Sequence, residues 1–205
     1  MDAHNNTPLT LSKPTADIGF ITKTDSKNIA LDPGDRALNL LTDFHLTPAL
    51  SVLAATQIDA ALTQMICSGV RLLFVVDAEF NILGSITSYD IQGEKPLRYL
   101  QSRDCRIGIC SREDIVVQDI MTPVYKWKVV NYDQLINATI ADIALTFKEL
   151  GQRHLIVVDP VRGSHNRQVV RGLFSLTDLE RVLGINIEPA KVAHSFAEIK
   201  SELAS

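Results

Sequence analysis

Gly69-Val70-Arg71-Leu72-Leu73-Phe74-Val75-Val76-Asp77 returns about 82 residues later as Gly151-Gln152-Arg153-His154-Leu155-Ile156-Val157-Val158-Asp159. Each stretch opens on glycine, places arginine two residues on, and closes an apolar run with aspartate. Upstream, Ile58 lies over Ile140; downstream, Gly84, Thr87 and Asp90 lie over Gly172, Ser175 and Asp178. The downstream spacing is about six residues longer. The extra residues fall in the polar stretch 160–168, which reads as an enlarged turn and adds little closure entropy. Self-similarity at a fixed spacing marks an internal repeat.

Working outward, both copies give the same elements. Ile58, Ala61, Leu62, Met65 and Ile66 recur at three-and-four spacing, as do Ile140, Ile143, Ala144, Phe147 and Leu150. That spacing predicts one helix per copy with a single buried face. Gly69 and Gly151 stop these helices where a left-handed cap belongs. Residues 72–76 and 155–158 read as buried strands, 82–87 and 169–174 as second strands, and short helices open near Ser88 and Leu176. A strand before each long helix, about 50–53 and 127–130, completes β-α-β-β-α twice. The expected class is α/β (α+β), with the two repeats packed as a pseudo-two-fold pair. A unit of about 55 residues buries too little surface to stand comfortably alone, whereas two can share a core.

Bulk properties narrow the function. The 205 residues are 46% hydrophobic and 21% charged, the range of a globular chain. A formal charge of -4 with only 20 scattered Lys and Arg argues against nucleic acid as partner. No apolar run approaches the roughly 18 to 20 residues that span a bilayer, so no membrane insertion is expected. Residues 1–13 lack the basic start and apolar run of a secretory signal, which makes a cytoplasmic location the default expectation. Cys67, Cys105 and Cys110 are an odd three without the second Cys pair or His ligands of a zinc site, so no metal is expected. The five histidines are dispersed, with no H-E-x-x-H, G-x-S-x-G or Walker pattern, and no catalytic residue is assigned.

Gly69–Asp77 with Ile82-Leu83-Gly84-Ser85-Ile86-Thr87-Ser88-Tyr89-Asp90-Ile91 resembles the second half of a cystathionine-β-synthase (CBS) domain. Gly151–Asp159 with Gly172-Leu173-Phe174-Ser175-Leu176-Thr177-Asp178-Leu179 is similar and closer to the family pattern. Asp119-Ile120-Met121-Thr122-Pro123 looks like the family's usual lead-in to a domain, for which the first copy offers only Leu46-Thr47-Pro48. The resemblance implies CBS domains over 47–101 and 119–184, joined by a linker over 102–118, in a stand-alone Bateman module. It also implies a regulatory sensor rather than an enzyme, a homodimer, and an adenosine-containing ligand (AMP, ADP, ATP or S-adenosylmethionine) in the cleft between repeats. No cofactor is required on this reading, and the regulated partner protein is not identified.

The candidate ligand residues occupy matching points. Thr87 and Ser175 end a strand, and Asp90 and Asp178 follow three residues later. That spacing caps a helix, and it equally suits phosphate at Thr87 or Ser175 and ribose hydroxyls at Asp90 or Asp178, the roles these positions take in CBS families. Arg71 and Arg153 can form paired bonds with phosphate, or pair with Asp77 and Asp159. His154 adds a group that titrates near neutrality. The resemblance places the base near Val129 and Val130, beside Trp127. Arg153, His154, Ser175 and Asp178 together make the second copy the favoured site, since Leu72 replaces the histidine in the first.

The flanks do not match the repeat. Residues 1–46 form an N-terminal extension, polar and expected to be partly disordered over 7–28, with a short helical pattern over 35–44. Residues 185–205 are expected to carry a C-terminal helix whose Val192, Phe196 and Ile199 share a face. The competing function is a ligand-free structural adaptor acting through dimerisation and these flanking helices.

Overall fold

The computed structural model describes residues 31–102, 111–161 and 167–187. The expected C-terminal helix, the polar stretch 7–28, Cys105 and Cys110 lie outside them. The chain separates into Met1–Leu31 and Asp32–Ser205, and the elements below belong to the second unit.

Copy 1 contains β2 (Ser51–Leu53), α1 (Ile58–Ser68), β3 (Leu72–Val76), β4 (Ile82–Thr87), α2 (Ser88–Gln92) and α3 (Lys95–Ser102), preceded by a short strand β1 (Thr42–Asp43). Copy 2 is led in by α4 (Val117–Ile120) and β5 (Thr122–Pro123). It continues as β6 (Val129–Asn131), α5 (Tyr132–Leu135), α6 (Ile140–Leu150), β7 (His154–Pro160), β8 (Gln168–Ser175) and α7 (Leu176–Leu183). Both long helices end on a left-handed glycine, Gly69 at φ 65° and Gly151 at φ 68°. The connection from β6 to α6 in copy 2 is longer than that from β2 to α1 in copy 1, and it forms the one-turn helix α5. Among the described residues, no helix is long and apolar enough to cross a membrane.

The strands form two four-stranded sheets, ordered β2-β3-β4-β5 and β6-β7-β8-β1. β2 runs parallel to β3, as β6 does to β7, and the remaining pairs are antiparallel. Each sheet therefore takes its last strand from the segment that leads into the other copy. The swap repeats residue by residue. Val117 N–H donates to Thr56 O (2.8 Å) and Ile58 N–H to Ile115 O (3.1 Å); Ala37 N–H donates to Ala138 O (2.9 Å) and Ile140 N–H to Asp35 O (2.9 Å). The helical pattern expected over 35–44 is thus one 3-10 turn, Ala37–Asn39, followed by β1. Structurally, Leu40–Asp43 stands where Ile120–Pro123 stands in the other copy. Leu46 is instead exposed, so Leu46-Thr47-Pro48 is not the counterpart lead-in.

Both central strands are covered on two faces, which explains their unbroken apolar runs. Leu73 and Val75 of β3 join Ile58, Ala61, Met65 and Ile86 in the helix-side core, and Ile115, Val117 and Ile120 of the lead-in segment close it. Leu72 and Phe74 face the other way, against Ile156 and Val158 of β7, with Phe44 and Trp127 at the edge. The shared inter-sheet core is what makes two small units one body.

The two lead-in strands lie so close to β4 and β8 that a side chain would collide. A Cβ at Gly172 would sit 2.5 Å from Thr42 O, and one at Gly84 would overlap Thr122 O. The β1 contact is further held by a bidentate pair, with Arg171 Nε 2.9 Å and Nη2 2.7 Å from the two oxygens of Asp43. That guanidinium holds the Asp43 carboxyl below the usual carboxylate range. Gly172→Ala is therefore expected to cost about 1–3 kcal/mol by overpacking. Gly34→Ala, with nothing within 4 Å of its Cβ, should change stability by less than about 0.5 kcal/mol. Urea unfolding of the two variants checks the difference.

Candidate functional site

β3 and β7 bring their N-terminal ends together, and a cleft of about 380 Å³ opens there. Its apolar wall is Leu72, Trp127 and Ile156; its polar wall carries Ser85, Thr87, Asp90, Lys128, Arg153 and His154. The volume lies in the roughly 300–1,000 Å³ range of small-molecule sites.

The strand-end motif of copy 1 is a complete capping box. Thr87 N–H and Oγ1 donate to Asp90 Oδ2 (2.8 and 2.7 Å), and Asp90 N–H donates back to Thr87 Oγ1 (3.2 Å). Asp90 Oδ1 pairs with Lys95 Nζ at 2.8 Å. Lys95 also reaches Ile120 O (3.1 Å) and Thr122 Oγ1 (3.2 Å), which ties the site to the lead-in strand. Asp90 is thus held in a fixed geometry. Ser175 makes no such cap, and Asp178 pairs with Arg181 at 2.9 Å.

The cationic side comes from both copies. Arg153 lays its guanidinium over the Tyr89 ring, 4.7 Å from the centroid, in a cation–π contact. Its Nε is buried without a hydrogen-bond partner. Such a donor is costly unless something supplies an acceptor. Arg71 donates from Nη1 to Tyr89 Oη (2.9 Å) and, more weakly, to Thr177 Oγ1 of copy 2 (3.4 Å). One tyrosine therefore organises two arginines. Neither pairs with Asp77 or Asp159: Asp77 instead caps its own turn through Asn81, and Asp159 approaches Arg171 at 3.9 Å.

His154 is pushed down to about 4, first by burial and then by Arg153, with Arg71 acting in the same sense against the opposing pull of Asp90 and Asp178. It is neutral at physiological pH, so it lines the cleft as an uncharged ring and does not titrate near neutrality.

Trp127 completes the cleft. Its indole Nε1 donates to Ser85 Oγ (3.1 Å) and Thr122 O (3.3 Å), and its ring meets Phe74 edge-on at 5.9 Å.

The fold unites Thr87, Asp90, Arg153 and His154, with Arg71 at the margin. It does not unite Arg153 and His154 with the strand-end pair of their own copy. Ser175 is the cross-strand partner of His154, yet neither it nor Asp178 lines the cleft. Val129 lines a different groove and Val130 lines neither. Tyr89, Lys95 and Lys128 are site residues to which the sequence pattern gives no role. Tyr89 lies inside the quoted Thr87–Asp90 motif, but Thr177 replaces it in copy 2, so comparison of the copies gives it no weight.

No protein-family model matches the chain, and no curated protein does. Solved structures do. An uncharacterised conserved protein from Pyrococcus horikoshii is 22% identical, with 78% of this chain and 100% of that one covered at a TM-score of 0.50. A Methanocaldococcus jannaschii protein, a proposed archaeal homolog of γ-AMPK, is 22% identical over 71% of this chain and 49% of that one, also at 0.50. CBSX2, a CBS-pair protein from Arabidopsis thaliana solved in complex with AMP, is 22% identical over 72% and 95% at a TM-score of 0.45. The likeness is one of fold: two β-α-β-β-α units with two four-stranded sheets, as in a CBS-domain pair.

The depressed histidine gives a stability prediction. The unfolded chain takes up a proton at His154 near pH 6.5, the folded chain only near pH 4. Stability from this group is full above pH 6.5, is lost as the pH falls towards 4, and then levels off, a change of about 3 kcal/mol. His154→Leu, which copies Leu72, should flatten that part of the pH–stability curve in urea titrations.

Proposed function

We propose that this chain, which has the fold of a CBS-domain pair, is a regulatory module that binds an adenosine-containing ligand between its repeats and signals to a partner protein. The observation that carries the reading is the cleft's division of labour. An aromatic and aliphatic wall (Trp127, Leu72, Ile156) stands opposite a preset hydroxyl and carboxylate from copy 1 and cationic groups from copy 2. A flat base suits the first, a ribose the second and a phosphate the third. The buried Nε of Arg153 supports an anionic group on the ligand, since it lacks an acceptor. Because the cleft is made by both copies, ligand binds best to the packing that closes it, and that preference biases the angle between repeats. No covalent step is needed for such a role.

The test is titration calorimetry with AMP, ADP, ATP and S-adenosylmethionine, with AMP first. Binding tighter than millimolar by at least one of them is expected, and Trp127, the single tryptophan, should report it by fluorescence. Arg153→Met should weaken a phosphate-bearing ligand about 10- to 100-fold, the worth of a charge-assisted hydrogen bond. Glu180→Ala, outside the cleft, should leave affinity unchanged. If none of the four compounds binds below millimolar concentration, the sensor reading fails.

A further inference from the structure

Lys95 opens α3 behind the cleft and holds acceptors on two of its lining residues at once. Its Nζ lies 2.8 Å from Asp90 Oδ1 and donates to Thr122 Oγ1 (3.2 Å) and Ile120 O (3.1 Å). Asp90 and Thr122 both line the cleft, whereas Ile120 sits in the core of copy 1 with 5% exposure. An ammonium has three N–H groups, so this arrangement uses them all.

The acceptors of Asp90 are nearly as fully used. A carboxylate offers about four lone-pair sites. Among the described residues, the N–H and Oγ1 of Thr87 donate to Oδ2, and Lys95 pairs with Oδ1. That leaves room for about one more donor. A single ligand hydroxyl can take it and disturb nothing. A vicinal diol brings two donors side by side, and its second bond needs a site that Lys95 holds, on Asp90 or on Thr122.

Of the groups around this carboxylate, Lys95 is the one able to yield. The Thr87 bonds form the capping box of α2, within one turn of backbone. The Lys95 side chain is 40% exposed and ends a flexible four-carbon stem, so its charge can pass to water. When it does, Ile120 O and Thr122 Oγ1 lose a donor. Both belong to the segment that forms β5 and, one 3-10 turn further on, presents Trp127 to the cleft. We propose that Lys95 is a positioning residue that senses vicinal hydroxyls on a ligand at Asp90 and passes their presence to the lead-in strand of copy 2. The proposal rests on the nucleoside reading of the cleft and adds the residue and the route by which occupancy reaches β5.

Calorimetry with AMP and 2′-deoxy-AMP, which differ by one hydroxyl, tests it. The wild-type chain should prefer AMP by no more than about threefold, because the second hydroxyl gains its bond by displacing a charge pair. Lys95→Met opens that acceptor, so the preference should widen about tenfold or more, the worth of a hydrogen bond to a charged group. Lys95→Arg keeps the charge and should return the ratio to near its wild-type value. Both nucleotides carry the same phosphate, so a general loss of stability or of cationic charge moves the two affinities together and leaves their ratio alone. Amide exchange gives a second readout. With nucleotide saturating, the amides of residues 120–122 should exchange faster with AMP than with 2′-deoxy-AMP in the wild-type chain, and equally with both in Lys95→Met. A preference that Lys95→Met leaves unchanged overturns the inference, and so does equal exchange with the two nucleotides in the wild-type chain; in either case the ligand reading stands. If Lys95→Met does not fold, the wild-type exchange comparison decides alone. Failure of both nucleotides to bind removes the ligand reading and this inference with it.

Discussion

Everything in this fold depends on the exchange of lead-in strands. β1 closes the sheet of copy 2 and β5 closes that of copy 1, each pressed against a glycine that leaves no room for a Cβ. The exchange places Ile115, Val117 and Ile120 in the core of copy 1. It also fixes Trp127, one 3-10 turn (Val124–Lys126) beyond β5, with its indole N–H bonded to Ser85 and Thr122. Without that strand in place, the first cleft would lose one wall and Lys95 two of its acceptors.

The cleft is a local reversal of the chain's charge. An acidic protein lines one opening with Arg153 and Lys128 and sets Arg71 and Lys95 behind the lining residues Tyr89 and Asp90, so the carboxylate among them is already paired. The cost of crowding these cations is met by aromatic and hydroxyl partners rather than by further carboxylates. Tyr89 carries most of that burden, offering its face to one arginine and its oxygen to the other. Neutral His154 is the other side of the same field, since a proton there would face Arg153 and Arg71 as well as burial.

Much of the architecture was legible because repeats carry their own control. Two helices of one phase, each ended by a left-handed glycine, and two apolar runs at matching positions predict both units before any contact is known. The lead-in strand of copy 1 was not legible. Only Thr42 matches Thr122 among Leu40–Asp43 and Ile120–Pro123, and its role is set by pairing with a distant strand rather than by local pattern. The composition of the cleft escaped for a deeper reason. Aligning one copy on the other groups equivalent residues, so it sets Arg153 and His154 beside Ser175 and Asp178. A pseudo-two-fold brings non-equivalent residues together, and Arg153 faces Thr87 and Asp90 instead. The motif residues were found, but the grouping belongs to the packing.

The strand exchange also bears on how alike the two halves must be. A lone unit of this kind, lead-in segment included, could complete its sheet only by lending its strand to another molecule and borrowing one back. In the single chain both exchanges are intramolecular, so the two halves need not be alike. Leu72 in the place of His154, Pro123 in the place of Asp43 and Leu83 in the place of Arg171 are differences that a pair of identical units could not hold. Joined in tandem, the two halves could specialise one position at a time.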